Sequence, residues 1–168
     1  MEELDNVQEE NKRPKLLNVL CILSFISIGF TFLGAISQAV RGPFNEDEMM
    51  DQKVELTKSA SQLDQLGSTY FGDQIRKMIV MTENLNESFT MVNMMTFVTV
   101  VVGFFGVFKM FKGEKLGFHF YIVYSLLGAG QVYFFVSPSY VPSMVLLWNV
   151  IIAGIFVYLY SRNLNWLK

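Results

Sequence analysis

The sequence predicts an all-α membrane protein: four transmembrane helices, with an extracytoplasmic helical hairpin between the first and the second. Three observations carry this. Four apolar runs begin at 16, 91, 116 and 141, and each covers a hydrocarbon core of about 30 Å at roughly 1.5 Å per residue. None of the runs contains Asp or Glu. Basic residues gather at alternate junctions, which is how short loops retained in the cytoplasm are marked.

Composition agrees with this class. Of 168 residues, 52% are hydrophobic and 15% aromatic, and the mean hydropathy is +0.35. The runs carry Phe, Leu, Ile and Val on every face, whereas a soluble helix keeps a polar stripe. The net charge of −2 sums opposing local charges, and no basic stripe of the kind that binds nucleic acid is present. The lone Cys21 excludes an intrachain disulfide and reads as a small packing residue.

Residues 1–15 are polar and acidic, a flexible cytoplasmic tail ending at Pro14. The first transmembrane helix, 16–40, is too long for the apolar region of a cleaved signal. Lys12, Arg13 and Lys15 precede it, Lys109, Lys112 and Lys115 join the second span (91–112) to the third (116–136), and Arg162 and Lys168 follow the fourth (141–161). Four spans put all three clusters on one side. Both termini, with the tail 162–168, are therefore expected in the cytoplasm.

The segment 41–90 is the substantial part outside lipid. Gly42-Pro43 ends the first span, and Asn45 or Asp47 caps a new helix with Leu56, Ala60 and Leu63 on one face. Leu66-Gly67-Ser68-Thr69 reads as a turn. Phe71, Ile75, Met78, Thr82, Leu85 and Phe89 then alternate by four and three, a helical stripe with a coiled-coil-like period. With no Pro or Gly between this stripe and the second span, one continuous helix is expected from about 69 to 112. An upright hairpin is favoured over a helix lying on the membrane, because interfacial helices prefer a basic polar face and this region is acidic.

Five places bear on function. Gln131 and Asn149, with Gln38, Asn93, Thr96 and Thr99 near similar levels, form a possible polar cluster in the outer half of the bundle. It is either a small cavity for a neutral solute or headgroup, or interhelical glue. Phe71, Ile75, Met78, Leu85 and Phe89 are the residues expected to touch a partner. His119, the only histidine, has no second His, acid or Cys nearby to make a metal site or proton relay, and reads as an interfacial side chain. The lysines at 109–115 are a topology signal that can also attract anionic headgroups. Small residues at 103/106, 125/128–130 and 153/154 permit close helix approach. No catalytic motif, cofactor motif or paired intramembrane carboxylate is present, so neither an enzyme nor a cofactor is expected.

Lys12-Arg13-Pro14 followed by Leu17-x-Val19-Leu20-Cys21-Ile22-Leu23-Ser24-Phe25-Ile26 resembles the opening of uncharacterised small bacterial four-span inner-membrane proteins. So does the third-span start, Lys112-Gly113-Glu114-Lys115-Leu116-Gly117-Phe118-His119-Phe120-Tyr121. The resemblance implies a bacterial cytoplasmic-membrane location and brings no activity. The expected function is an accessory or scaffolding subunit of a membrane assembly, with other subunits, a second copy and lipids as partners. The alternative is a transporter or binder of a small neutral or lipidic ligand.

Overall fold

A computed structural model describes residues 13–168 and is helical, with no strand among them. In chain order the α-helices are α1 (Lys15–Arg41), α2 (Glu46–Gln65), α3 (Thr69–Glu87), α4 (Phe89–Phe111), α5 (Leu116–Gly130) and α6 (Ser143–Ser161). Short 3₁₀ turns at Gln131–Phe134 and Pro138–Tyr140 join α5 to α6. The expected tail 1–15 lies mostly outside the described residues. Three helices, α1, α4 and α6, are long and apolar enough to cross a membrane.

Local chemistry sets the boundaries. Pro14 opens α1, and Gly42 at φ 82° ends it, donating its N–H to Gln38 at 2.9 Å. Asn45 caps α2 in a reciprocal box. Its Oδ1 accepts from the Glu48 N–H at 2.8 Å, and its own N–H donates to the Glu48 carboxylate at 3.1 Å. Gly67 at φ 78° makes the turn into α3. The two helices run antiparallel: Lys53 pairs with Glu83, Asp64 pairs with Arg76, and Gly72 lies against Ala60.

The expected continuous helix is interrupted. Ser88 has φ −95° and ψ 18°, in the bridge region, and separates α3 from α4. Asn84, Asn86 and Ser88 cluster here, side chains that compete with the helical backbone for hydrogen bonds. The bend also decides the attitude of α3. Tyr160 packs on Tyr121 with ring centroids 4.7 Å apart, and the Tyr121 backbone faces Gly106. The stretches 143–160 and 89–106 are equally long, about 26 Å, so Ser143 stands level with Phe89. A straight continuation of α4 would carry Gln74 about 22 Å beyond that level. Gln74 Oε1 instead accepts the Ser143 N–H at 2.8 Å. At the other end of α3, Asn86 clasps the Phe44 backbone at 2.8 and 3.0 Å, just past α1. The favoured upright attitude is therefore corrected: α3 crosses the end of the bundle, from the start of α6 to the end of α1.

The third apolar run also departs from expectation. Its α-helix stops at Gly130, short of 136, and tightens into a 3₁₀ turn. Gly128 and Gly130 within three residues weaken the α-helix where it ends. At the opposite end, the segment 162–168 is docked. Its Lys168 N–H donates to Gly113 O at 2.7 Å, and its carbonyl accepts from Lys115 at 2.9 Å. Leu167 is buried beside Leu17, Leu20, Cys21, Val107 and Met110, which form the densest apolar core. Arg13 covers this end, its guanidinium 4.2 Å from the Phe111 ring centroid.

Candidate functional site: a polar cleft between α1 and α6

The four helices of the bundle do not close evenly. At the inner end, the one with the Lys115 loop, α4 and α5 touch backbone to backbone. A Cβ on Gly106 would lie 2.9 Å from Tyr121 N and 3.2 Å from Gly117 O. α6 joins there through Tyr160, its one buried residue. Its outer half, from Ser143 on, diverges, and Trp148, Asn149 and Ile152 are exposed. The result is a cleft between α1 and α6, backed by α4 and α5, of about 330 Å³.

Each helix supplies a polar stripe. α1 presents Ser24, Ser27 and Thr31; α4 presents Thr96 and Thr99; α5 presents Tyr121, Tyr124 and Ser125, with Gln131 just beyond it; α6 presents Asn149. At the floor, Ser24 Oγ lies 3.0 Å from Tyr160 OH and donates to Tyr121 OH at 3.5 Å. Below this the apolar core closes the cleft, with Leu17, Val107 and Met110 fully buried.

Above the floor, the polar groups mostly turn back on their own helices. Thr31 donates to Ser27 O at 3.0 Å, Thr96 to Val92 O at 2.9 Å, Thr99 to Met95 O at 2.8 Å and Asn149 to Val145 O at 2.8 Å. Among the described residues, the one bond between helices at this level is a long contact of 3.4 Å from Thr99 to the Gln131 carbonyl. Interhelical glue would pair these groups with one another. Here acceptor and donor capacity is left facing the cleft.

The structure brings Thr96 and Thr99 together with Gln131 and Asn149, and leaves Asn93 and Gln38 apart. Gln131 and Asn149 share the cleft. Asn93 sits six residues above Thr99, about 9 Å along α4, 8% exposed, with its Oδ1 unpartnered among the described residues, and does not line the cleft. Gln38 lines a separate recess at the end of α1, formed with Thr82, Leu85 and Phe89. Two of the five expected partner contacts, Leu85 and Phe89, are thus turned toward their own bundle because α3 folds over it. Ile75 and Met78 are half-buried, and Phe71 remains exposed against the Tyr70 ring. His119 is exposed, 3.3 Å from Lys115 O.

Sequence reasoning missed Ser24, Ser27, Thr31, Tyr121, Tyr124 and Ser125. The signal was available: hydroxyls recur by three and four along two apolar helices, one face of each. The small residues divide in role. Gly103 and Gly106 pack against α5, whereas Gly128, Ala129 and Ala153 line the cleft.

Outside the bundle, charge is arranged locally. Glu48 is held below the usual carboxylate range, first by the Asn45 backbone N–H and then by Arg41. Arg76 is pushed up, chiefly by Asp64. Among the described residues no three His, Cys, Asp or Glu side chains converge. No protein-family model, curated protein or solved structure matches the chain.

Proposed function

We propose that this chain is a four-span protein of the bacterial cytoplasmic membrane that holds a small neutral or lipidic ligand in the cleft between α1 and α6. Three spans are α1, α4 and α6. The fourth is α5 with its 3₁₀ continuation, together about 30 Å long at 1.5 and 2.0 Å per residue. The positive clusters at Lys15, Lys109–Lys115 and Arg162 lie at one end of the bundle, which supports cytoplasmic termini. The α2–α3 pair then forms a helical hairpin on the outer face, folded over the bundle.

One observation carries the ligand reading: above the Ser24–Tyr121–Tyr160 floor, the uncharged polar groups of the cleft face a shared space and scarcely bond to one another. Bonded back to their own helices, these groups keep lone pairs and amide N–H free toward the cleft, and a ligand with matching donors and acceptors uses that capacity. The test is thermal unfolding of the purified protein in mild detergent. A total membrane lipid extract raises the midpoint of the wild type, and Gln131→Leu or Asn149→Leu abolishes the rise. An equal rise in all three proteins overturns the reading.

An accessory-subunit role is the second reading. Its support is the exposed apolar surface of the outer pair, where Met50, Val54, Leu66 and Phe71 all face outward. Leu66→Asp with Phe71→Asp then releases a co-purifying membrane protein, and unchanged co-purification counts against it.

A further inference from the structure

We infer that the cleft takes the headgroup of a membrane lipid that is uncharged and multiply hydroxylated, arriving sideways between α1 and α6 with its acyl chains left in the bilayer. This rests on the ligand-binding reading and names what is bound.

Charge comes first. The lining contains no Asp, Glu, Lys, Arg or His, so a phosphate or ammonium headgroup would be buried without a counter-charge. Hydroxyls and carboxamides both donate and accept, which matches a polyol or sugar and not a purely apolar molecule. Size comes second. A volume of about 330 Å³ falls at the bottom of the range of small-molecule sites, roughly 300–1,000 Å³. It suits a headgroup and leaves no room for the chains.

The route is set by the helices. The inner end is sealed by Leu17, Val107 and Met110. At the outer end α3 runs across, fixed at Gln74 to Ser143 and at Asn86 to Phe44. The side between α1 and α6 is different. Ser27 and Thr31 are exposed on one lip, Asn149 and Ile152 on the other. This side stands open: a Cβ on Gly128 would meet nothing within 4 Å. Acyl chains leaving by this side pass the exposed Ile151, Ile155 and Phe30.

The experiment places the full-length protein in phosphatidylcholine vesicles containing a trace of glucosyl-diacylglycerol with a diazirine in one acyl chain. After irradiation, labelled peptides are mapped. Labels concentrate on α1 and α6 beside the cleft, and unlabelled glucosyl-diacylglycerol displaces them. Neither free glucose nor phosphatidylglycerol does so. Asn149→Leu and Gln131→Leu each reduce cleft labelling about tenfold, the effect of one good hydrogen bond. Gly128→Leu, whose Cβ enters open space, occupies the cleft and abolishes the labelling while the unfolding midpoint is kept.

Three results overturn the inference. Labels spread evenly around the apolar belt, unchanged by the variants, remove the lipid site. Displacement by free glucose shows a water-soluble ligand and leaves the proposed function standing. Efficient disulfide cross-linking of Ser27→Cys on one copy to the same variant on another shows a neighbouring helix in the cleft, and overturns both.

Discussion

Glycine does opposite things at the two ends of this bundle. Between α4 and α5, Gly106 and Gly117 lie where two backbones meet, and an added Cβ would strike main-chain atoms of the other helix. At the cleft, Gly128 borders a space in which an added Cβ meets nothing within 4 Å, and the exposed Gly154 of α6 likewise has no neighbour in reach. The first pair lets two helices touch, and the second lies where no helix packs against it. Small residues in an apolar helix therefore do not of themselves signal tight packing. What decides is the neighbour across the gap, an opposing glycine in one case and a divergent helix in the other.

Substitution breaks or sharpens this contrast. Gly117→Ala has the largest effect, because the methyl meets the α4 backbone, which cannot yield as a side chain would. A loss of about 3 kcal/mol is expected, at the upper end for overpacking, read as a lowered unfolding midpoint in mild detergent. Gln74→Ala comes next. It strips the Ser143 N–H and hydroxyl of their acceptor and costs about 1 kcal/mol, as loss of a helix cap does. Hydrogen exchange then accelerates in the first turn of α6 and not at Tyr160. Gly154→Ala reverses the sign. With no clash to offset the gain in helix propensity, stability rises by about 0.5–1 kcal/mol. An equal loss from Gly154→Ala and Gly117→Ala would erase the contrast between the two ends.

The smallest effect lies outside the bundle. Glu48 has a folded pKa below its ordinary 4.5, so its stabilisation is complete above that value. The contribution is lost as pH falls through the lowered folded value. Protection against hydrogen exchange in the first turn of α2, referred to the intrinsic rate at each pH, therefore falls under acid, and Glu48→Gln removes that dependence.

Much of the fold was legible because its signals are local. Apolar length announced the spans, Gly42 and Gly67 the breaks, and Asn45 with Glu48 a helix start. The attitude of α3 was not legible, since it depends on Gln74 reaching Ser143, a contact far along the chain that no periodicity announces. The end of α5 at Gly130 was half-written in its glycines, but apolar side chains continue to Val136 and mask the change of helix type. At the site, Gln131 and Asn149 stood out as amides among apolar neighbours. The hydroxyls of Ser27, Thr31 and Tyr124 did not, because Ser, Thr and Tyr are common in spans. Only the divergence of α6 makes them line one cleft.

The Gln74–Ser143 clasp also has a consequence for biogenesis. These residues are 69 positions apart, and a ribosome delivers the acceptor well before the donor exists. All the residues of the α2–α3 pair, including its Asp64–Arg76 and Lys53–Glu83 pairings, are synthesised before α6 leaves the translation machinery. That pair then serves as the berth at which α6 moors, fixing its depth from the far side while Tyr160 fixes it from the near one.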